Sequence, residues 1–292
     1  MNFLRISWYL FCKNVLVLIP DSWFSQFIHL VNHIRLGFKW HPLNFRQPKT
    51  FNDKVNELKL KYRNTLAPIV ADKVSVRDFV KEKIGEQYLV PIIDIFDSAD
   101  KIILEELPNS FVIKANHGSG WNLICLDKTK LDWEIEKKKL NSWLSQNAYY
   151  LNREWQYKSI KPLLICEELL GNDVKDYKVF CFDGKPKFIQ VDSDRFSNHE
   201  RSFFDLSWNE LDITIRYPRI SKLPPPPPNL KLMFQLAERL SNDFPFCRID
   251  LYNIEGEIFF GEITLHPGGG VEPFGSYSQA LEVGNYFNET IV

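Results

Sequence analysis

The sequence predicts a mixed α+β protein with at least two lobes, and three observations favour this class. Predicted strands and helices alternate over residues 89–170, whereas antiparallel hairpins dominate over residues 175–264. The chain has 292 residues, of which 45% are hydrophobic and 25% charged, so it is neither disordered nor collagen-like. At roughly 150 residues per domain, this length corresponds to about two domains.

The predicted helices share apolar residues at helical spacing, and the first has a capping box at Thr50 and Asp53. Gly85 marks the end of the second helix. The helices are expected within residues 48–85, including Asp72–Ile84, and at Ser98–Leu107, Trp133–Gln146 and Leu230–Ser241. Pro224–Pro228, before the last of them, is predicted to be a polyproline spacer.

The predicted strands are short apolar or alternating runs bounded by turn residues, and Asp183-Gly184 is a strong hairpin signal. They are expected at Leu89–Phe96, Phe111–Ala115, Leu123–Leu126, Pro162–Leu170, Tyr177–Phe182, Lys187–Val191, Phe246–Tyr252 and Glu257–Thr264.

Charge and cysteine content narrow the classes of partner and compartment. The 36 Lys and Arg residues nearly balance the 37 Asp and Glu residues, so no global field attracts nucleic acid and none is expected as a partner. Five cysteines lie far apart, and four of them stand in apolar runs, which predicts reduced core residues in a cytoplasmic protein. They are Cys12, Cys125, Cys166, Cys181 and Cys247.

Residues 1–30 are predicted to contain a helix with an aromatic side. The apolar stretch Ile6–Ile19 is interrupted by Lys13 and is shorter than the about 20 residues that a membrane span needs. One interpretation is a helix packed on the body of the protein or on a partner. The other is a peripheral contact with the inner face of a membrane or with a polysaccharide-assembly complex, which Trp8 and Trp23 suit.

A glycine-rich loop follows the predicted strand Phe111–Ala115. The strand carries Lys114, and Gly118 and Gly120 flank Ser119, so backbone N–H groups can approach an anion closely beside a point charge. The segment is neither a Walker loop nor a dinucleotide fingerprint, because a strand follows where those motifs need a helix. It predicts a phosphate site, with a hairpin turn as the structural alternative.

The second polar segment is the hairpin Phe246–Thr264. Strand periodicity places Arg248 and Asp250 on one face of the first strand, and Glu262 and Thr264 on one face of the second. A bulged or three-residue connection would pair Asp250 with Glu262, whereas a plain two-residue turn would separate them. Two carboxylates on neighbouring strands suit Mg²⁺ held against phosphates. An exposed polar face with a cross-strand ion pair is the alternative.

Seven segments between Asn44 and Phe287 occur in an order that is specific as a set. They are F-N-D-K from Phe51, A-D-K-V-S-V-R-D-F-V from Ala71, F-V-I-K-A-N-H-G-S-G from Phe111, I-C-E-E-L-L from Ile165, D-Y-K-V-F-C-F-D-G-K-P-K-F from Asp176, Q-V-D-S-D-R-F from Gln190, and R-I-D-L from Arg248 with G-E-I-T-L-H-P-G-G-G from Gly261. Together they resemble the TupA-like, teichuronopeptide-biosynthesis type of ATP-grasp protein.

The resemblance implies an α+β ATP-grasp fold with three sub-lobes and with ATP and Mg²⁺ as cofactors. The lobes are an N-terminal helical and α/β lobe at residues 1–95, a central nucleotide lobe at 96–168 and a C-terminal antiparallel lobe with the metal ligands at 169–292. The nucleotide is expected between the last two lobes.

The resemblance also implies a nucleotide site. Two lysines and a flexible loop correspond to the family's phosphate-binding groups, namely Lys73 and Lys114 with His117, Gly118, Ser119 and Gly120. A hinge that binds adenine corresponds to Glu167 and the backbone of Glu168, Leu169 and Leu170. Asp176 is expected to accept from ribose, and Lys178 to contact phosphate and assist catalysis.

For the metal and the chemistry, the resemblance implies Asp250, Glu262 and Thr264 as Mg²⁺ ligands and Arg248 as a catalytic residue. Thr264 stands where many ATP-grasp enzymes have asparagine, so its coordination is expected to be weak. Acceptor-binding residues are expected in two polar segments. They are Asp192, Asp194, Arg195, His199 and Arg201 in the first, where arginines suit carboxylates, and His266, Gly268 and Gly269 in the second.

The implied activity is an ATP-dependent ligation of a carboxylate to an amine through an acyl phosphate. The expected substrates are a uronic acid carboxylate of a capsular or other surface glycan, or its small-molecule precursor, and an amino acid or amino alcohol. A sugar phosphotransferase on the same fold and a catalytically silent nucleotide-binding scaffold are the alternatives. Each site residue also has a structural interpretation, such as a solvated lysine for Lys73 or Lys178 and a turn residue for Asp176.

Overall fold

The computed structural model describes residues 3–171, 174–193 and 198–288. The chain forms two compact units, called unit 1 (Met1–Leu18 and Asn64–Val174) and unit 2 (Ile19–Arg63 and Lys175–Val292). Residues 19–63, which the sequence assigns to an N-terminal lobe, therefore pack with the C-terminal part of the chain. The finer division into three sub-lobes stays a prediction.

Nine α-helices lie in the described part of the chain. They are α1 (Phe3–Asn14), α2 (Asp21–Leu36), α3 (Phe51–Lys61), α4 (Ala67–Ala71), α5 (Val76–Lys83), α6 (Trp133–Leu144), α7 (Tyr149–Asn152), α8 (Leu230–Ser241) and α9 (Tyr277–Gly284). The predicted bounds of α8 are confirmed, and the capping box of Thr50 and Asp53 at the start of α3 is present. Helices α7 and α9 are not among the helices predicted from sequence, and α2 is not predicted as a separate helix, although residues 1–30 are predicted to contain one.

Nine strands in the described part form two sheets. They are β1 (Ile92–Phe96), β2 (Phe111–Ala115), β3 (Asn122–Cys125), β4 (Leu164–Glu168), β5 (Lys175–Phe182), β6 (Lys185–Ser193), β7 (Glu200–Phe204), β8 (Phe246–Ile254) and β9 (Glu257–Thr264). Unit 1 holds the order β1-β4-β2-β3 and unit 2 the order β7-β6-β5-β8-β9, with antiparallel pairs throughout. The predicted α+β class is confirmed.

The core of unit 1 lies on one face of its sheet. Phe111, Ile113 and Ala115 alternate along β2 and are fully buried, and they belong to a cluster that includes Leu140 and Trp143 of α6. The intervening residues of β2 point to the opposite face, because side chains alternate along a strand. The core packing therefore fixes which face of the sheet carries Lys114.

The core of unit 2 is unusually rich in phenylalanine. Phe180, Phe182 and Phe246 are buried on one face of the sheet and pack with Phe51 of α3 and with Phe287. Along this same face, strand alternation continues from Phe246 to the polar residues Arg248 and Asp250 in the first half and the middle of β8. An aromatic core and a charged cluster thus share one side of the sheet.

The predicted helix Ser98–Leu107 is wrong. The segment contains two short 3-10 turns, Ala99–Lys101 and Leu104–Glu106, with an extended backbone at Ile102 between them. Ile102 and Leu107 are both buried in the core cluster of unit 1. A continuous helix gives way because β-branched residues favour extended backbone and tertiary burial outweighs weak helix propensity.

Two further findings concern the cysteines and the membrane. All five cysteines are free and buried, as the sequence predicts. Within residues 3–171, 174–193 and 198–288, no helix combines the length and the hydropathy that crossing a bilayer requires.

Candidate functional site

Lys114 in unit 1 forms an ion pair with Glu167. Lys114 lies opposite Ile165 in the antiparallel register, so Glu167, two residues further along β4, is its diagonal neighbour on the same face. Lys114 Nζ lies 2.6 Å from Glu167 Oε2, and Arg77 of α5 lies 3.5 Å from Glu167 Oε1. The predicted phosphate lysine and the predicted adenine-hinge glutamate are thus in direct contact.

The rest of the predicted hinge lies where β4 ends. Glu168 is exposed, and its N–H donates to the Pro91 carbonyl at 3.1 Å. Leu169 and Leu170 follow the strand and are half-buried. Their backbone role toward adenine stays a prediction.

Lys73 is brought directly onto the glycine-rich loop. Its Nζ donates to the Gly118 carbonyl at 2.7 Å, and its N–H donates to the Asn116 carbonyl at 3.1 Å. Asn116 in turn donates from Nδ2 to Asp72 Oδ1 at 2.8 Å. A Cβ atom at Gly118 would lie 2.5 Å from the Trp121 ring, so the loop backbone needs glycine there. Two segments that are 45 residues apart in sequence therefore meet.

His117 is buried, whereas Ser119 and Gly120 in the same loop are exposed. The His117 ring donates from Nε2 to the carbonyl oxygens of Trp143 and Gln146, each at 3.1 Å. Burial lowers the pKa of the ring, which favours the neutral form. The imidazole therefore fixes the loop to the end of α6 through these two carbonyl groups. A direct contact of His117 with phosphate stays a prediction.

In unit 2, the hairpin register agrees with the bulged alternative. Asp250 lies opposite Glu262 and Arg248 opposite Thr264, because a bulge follows Asp250 and compensates for the two-residue turn. Arg248 Nε and Nη2 donate to Asp250 Oδ1 and Oδ2 at 2.6 and 2.7 Å. Arg248 Nη2 also reaches Glu262 Oε1 at 3.3 Å and Thr264 Oγ1 at 3.1 Å.

Lys178 extends this charged cluster across the sheet. It lies opposite Asp250 on β5, and its Nζ donates to Asp250 Oδ2 at 2.8 Å and also to Asp176. On its other side Lys178 lies opposite Gln190 of β6. Cross-strand partners Glu262, Asp250, Lys178 and Gln190 therefore form one row over four strands.

The charges of the cluster depend on burial and on one another. Burial raises the pKa of Asp250, and Arg248 and Lys178 oppose that rise. Burial lowers the pKa of Arg248, but Asp250 and Glu262 outweigh it and raise the pKa above its ordinary value. Arg248 is therefore a permanent cation within this group.

The donor set fits Mg²⁺ in part. Asp250, Glu262 and Thr264 supply hard oxygens from adjacent strands, and Mg²⁺ is commonly held by one or two carboxylates together with substrate phosphates. Among the described residues, no group of three or more His, Cys, Asp or Glu side chains forms a metal site. The chain thus offers a partial shell that phosphate oxygens and water would complete.

In the first predicted acceptor segment, two side chains contact the carboxylate of Asp192. Arg201, the cross-strand partner of Asp192, donates from Nε to Oδ1 at 2.7 Å, and His199 Nε2 lies 2.9 Å from the same oxygen. Asp192 is only 1% exposed. The predicted residues Asp194 and Arg195 lie outside the described residues.

The second predicted acceptor segment is the glycine-rich loop after β9. Lys59 of α3 donates from Nζ to the Gly269 carbonyl at 2.6 Å, and Asn56 Nδ2 donates to the Gly270 carbonyl at 2.7 Å. His266 is buried at the start of the loop, and Gly268 has a φ of 57°. Side chains of helix α3 therefore hold the loop by donating hydrogen bonds to the carbonyl oxygens of the loop.

A cavity within unit 2 lies between the charged cluster around Arg248 and the glycine-rich loop after β9. Its lining includes Arg248 from the charged cluster, Gln190 from the cross-strand row and Glu272, which follows the glycine-rich loop. Glu272 Oε1 accepts from Arg216 Nη1 at 2.9 Å. The sequence predicted neither Glu272 nor Arg216 as a site residue.

Sequence reasoning also missed the positioning roles of Arg77, Asn56 and Lys59. Arg77 stands four residues after Lys73, which is a helical neighbour spacing that could have suggested it. Asn56 and Lys59 are polar residues on the buried side of α3, and buried polar groups need partners. Arg216 and Glu272 give no local signal, because 56 residues separate them.

Comparison with protein families gives one match: a model described as TupA-like ATPgrasp matches residues 53–288. A search among curated proteins finds no match. The chain is similar to the D-alanine–D-alanine ligase from Bacillus anthracis, with 14% identity over 91% of this chain and 92% of that chain and a TM-score of 0.45.

The chain is also similar to two solved structures that contain a bound nucleotide. The same Bacillus anthracis ligase complexed with ATP matches with 16% identity over 77% of this chain and 64% of that chain, at a TM-score of 0.41. The N5-carboxyaminoimidazole synthetase from Staphylococcus aureus complexed with ADP matches with 14% identity over 75% and 52%, at a TM-score of 0.41. The chain thus spans less than two thirds of the length of either complex.

Proposed function

The chain belongs to the TupA-like ATP-grasp family, and we propose that it is an ATP-dependent carboxylate–amine ligase acting on a surface glycan or its precursor. The observation that carries the proposal is the cross-strand group in which Arg248 bridges Asp250 and Glu262 beside Thr264. In this group the Arg248 guanidinium lies beside oxygen atoms of the kind that bind Mg²⁺. Phosphoryl and acyl transfer need positive groups of this kind, because negative charge develops in their transition states.

We assign the nucleotide phosphates to Lys73, Lys114 and the loop His117–Gly120. The contact of Lys73 with Gly118 supports this, because it joins a lysine to a backbone segment that can approach an anion. The ion pair with Glu167 holds the Lys114 side chain in place until phosphate replaces the carboxylate. The position of the nucleotide between the central and C-terminal lobes stays a prediction.

We assign Mg²⁺ to Asp250, Glu262 and Thr264. When bound, the ion would offset the charge that develops on the phosphates. Arg248 holds both carboxylates in place by its bonds to Asp250 and Glu262. Lys178 shares Asp250 with Arg248 and so balances the charge of the buried carboxylate.

The proposed reaction has two steps. An oxygen of the acceptor carboxylate attacks the γ-phosphorus, the bond to the β-phosphate oxygen breaks, and ADP leaves. The amine nitrogen then attacks the acyl carbon, phosphate leaves with the carboxylate oxygen, and the amine loses a proton. We assign to Arg248 the stabilisation of the oxyanion in the second step, because a planar guanidinium offers several donors in a fixed geometry.

The proposed substrates are a uronic acid carboxylate and an amino acid or amino alcohol. Arg201, held by Asp192 at 2.7 Å, supports an acidic acceptor because guanidinium groups bind carboxylates in a bidentate manner. We place the acceptor against His199, Arg201 and the loop residues Gly268 and Gly269. The role in capsular or other surface polysaccharide synthesis rests on the family resemblance alone.

The N-terminal segment has a separate proposed role, a peripheral contact with the inner face of a membrane. Tyr9 and Cys12 of α1 are buried in unit 1, whereas Trp8 and Phe11 are 40% and 44% exposed. In the following segment Trp23 is 74% exposed. Exposed aromatic residues of this kind suit the headgroup boundary of a bilayer, which supports the proposal.

The proposed activity is tested by a screen of uronic acids against amines with ATP and Mg²⁺. Phosphate release and product mass are followed together, with Glu262→Gln, which changes a proposed Mg²⁺ ligand, as the inactive control. Amide product with equal amounts of ADP and phosphate supports the ligase. ADP with a phosphorylated sugar and no free phosphate would identify a phosphotransferase, and ATP binding without turnover of any pair would indicate a nucleotide-binding scaffold.

A further inference from the structure

Glu272 occupies a central position between two arginines. Its Oε1 accepts from Arg216 Nη1 at 2.9 Å, and its Oε2 lies 3.5 Å from Arg201 Nη1. The same side chain lies on the glycine-rich loop, since a Cβ atom at Gly268 would be 2.3 Å from Glu272 Cγ and 2.9 Å from Oε2. One carboxylate therefore fills the space between a guanidinium pair and a glycine backbone.

The two arginines are held in place by other groups. Arg201 Nε donates to Asp192, and both guanidinium groups lie over the Tyr217 ring, at 4.8 and 5.0 Å from its centroid. His199 stacks on the same tyrosine with 3.7 Å between ring centroids. Arg201 is held by Asp192 and Tyr217, and Arg216 by Tyr217, so the pair would persist if the Glu272 side chain moved away.

The backbone of Arg216 is in a conformation that non-glycine residues rarely adopt. Its φ is 65°, and its N–H donates to the Pro273 carbonyl at 3.0 Å. A short β-bridge between Ile215 and Phe274 supports the same contact. Left-handed backbone is unfavourable at a non-glycine residue, so these two contacts hold Arg216 in its conformation.

The cavity that Arg248 lines is also lined by Glu272, which contacts both arginines, and by Gln190, which donates to Asp192 at 2.9 Å. Glu272 is 20% exposed and Arg216 35%, so solvent reaches the group, whereas Asp192 is 1% exposed. The buried carboxylate is thus a fixed part of the group. Glu272 is the carboxylate that can be exchanged.

We infer that Glu272 occupies the place of the acceptor's carboxylate, and that Arg201 and Arg216 bind that carboxylate when Glu272 moves aside. That the ligand is the acceptor rests on the proposed function; that the pair binds an external carboxylate does not. Glu272 is then a specificity residue that competes with the acceptor. Arg216 is a binding residue 15 positions beyond the last one predicted in the first polar segment.

Charge balance decides the class of ligand. With Glu272 in place, two guanidinium groups face two carboxylates, Asp192 and Glu272. A ligand carboxylate that replaces Glu272 preserves this balance. An amine or a neutral sugar would leave two cations beside each other with one carboxylate, which is unfavourable in a partly buried site. The site therefore favours an acidic acceptor.

The test measures binding of D-glucuronate to the full chain by calorimetry without ATP, with D-glucuronamide as the neutral probe of the same shape. Removing the internal competitor by Glu272→Gln is expected to tighten glucuronate binding about 10-fold, the scale of one charge-assisted hydrogen bond. Adding Arg216→Gln to that variant is expected to abolish the gain. Glucuronamide binding is expected to stay the same in all variants.

The matched control is Arg219→Gln, because Arg219 is an exposed arginine of unit 2 whose partners are Glu210 and Asp212. It is expected to leave glucuronate binding unchanged. If Glu272→Gln does not fold, Glu272→Ala is measured instead, because alanine also removes the competing carboxylate and the same tightening is expected.

Three results would overturn the inference: equal glucuronate affinity in wild type and Glu272→Gln, equal gains for glucuronate and glucuronamide, or a larger gain for inorganic phosphate than for glucuronate. The last result would identify a phosphate site. Because ATP is absent, a failure here leaves the ligase proposal standing if amide still forms. Predicted binding without amide formation would reject the ligase and keep the carboxylate site.

Discussion

Each unit holds a carboxylate between two cations, and the two groups differ in their surroundings. In unit 1, Glu167 contacts Lys114 and the more distant Arg77, which comes from a helix. In unit 2, Asp250 contacts Arg248 and Lys178, and all three lie on adjacent strands of one sheet. Both carboxylates are buried, and what differs is the origin of their cations: those of Glu167 come from a strand and a helix, whereas those of Asp250 come from its own strand and the adjacent one. We propose that phosphate displaces Glu167 from Lys114, whereas Asp250 keeps both of its partners.

The difference shows how one arrangement serves two purposes. An ion pair made by a flexible lysine can be exchanged for a ligand, because the lysine gains a similar partner in return. A buried carboxylate with several charged neighbours cannot be removed without leaving them unbalanced. We therefore expect substitutions in unit 1 to change nucleotide affinity, and substitutions in unit 2 to change stability and turnover.

The largest effect is expected for Asp250→Asn. The change leaves Arg248 and Lys178 close together and nearly buried without their shared charge, so the free energy of unfolding should fall by about 3–5 kcal/mol. Denaturant titration measures the loss, and ligation should fall to background in the folded fraction. Glu262→Gln is the matched control, because Glu262 is 33% exposed and its loss should cost much less stability. Equal stability losses would remove the contrast between the two groups.

Arg248→Lys is expected to lose about 10²–10³ in turnover, the range for one preorganised oxyanion donor. Lysine keeps the charge but cannot contact Asp250, Glu262 and Thr264 from one planar group. ATP affinity by calorimetry should stay near the wild-type value, because the phosphates are assigned mainly to Lys73, Lys114 and Mg²⁺. A variant that loses ATP affinity as much as turnover would show that Arg248 acts in the ground state.

Lys114→Ala is expected to weaken ATP binding by about 1.5–3 kcal/mol, the scale of a hydrogen bond to a charged group. Calorimetric titration with Mg²⁺ measures it, and Lys138→Ala on the exposed side of α6 is the control. An unchanged dissociation constant in the folded Lys114→Ala protein would contradict its assignment to phosphate.

The smallest effect is expected at the N-terminus. Replacing exposed Trp8 and Phe11 by serine should reduce binding to anionic lipid vesicles by roughly 10-fold and leave ATP turnover unchanged, since each side chain contributes only part of the about 1.5–3 kcal/mol of full burial. Sedimentation with vesicles measures this, with exposed Ile124→Ser as the control. Vesicle binding equal to wild type would reject the membrane contact. Point changes are preferable to deletion of residues 1–30, because Tyr9, Cys12 and Phe24 are buried.

Local sequence patterns predicted those elements well whose structure depends only on neighbouring residues. The capping box of α3 and the apolar alternation of β2 needed no distant partner, and both are observed. The segment Ser98–Leu107 failed because burial of Ile102 in the core, invisible to a helical pattern, sets its backbone. The helix α2 was not predicted as a separate helix because its polar residues His29 and His33 are buried, against the usual pattern.

The sequence predicted which residues of the site share a face of each strand, but not the register between the strands. Periodicity placed Arg248 with Asp250 and Glu262 with Thr264, but whether the two pairs meet depends on the bulge after Asp250, which the sequence left open. The pairing of Arg216 with Glu272 was out of reach, because it depends on the packing of two loops and on a left-handed residue.

Oxygen isotope transfer tests most directly whether ATP activates a carboxylate of the acceptor. The acceptor identified in the screen is labelled with ¹⁸O in its carboxylate and incubated with ATP, Mg²⁺ and the amine, and the released phosphate is analysed by mass spectrometry. An acyl phosphate route transfers one labelled oxygen to each phosphate released with amide, because the oxygen that attacks phosphorus leaves with it. Amide that forms together with unlabelled phosphate would contradict this route.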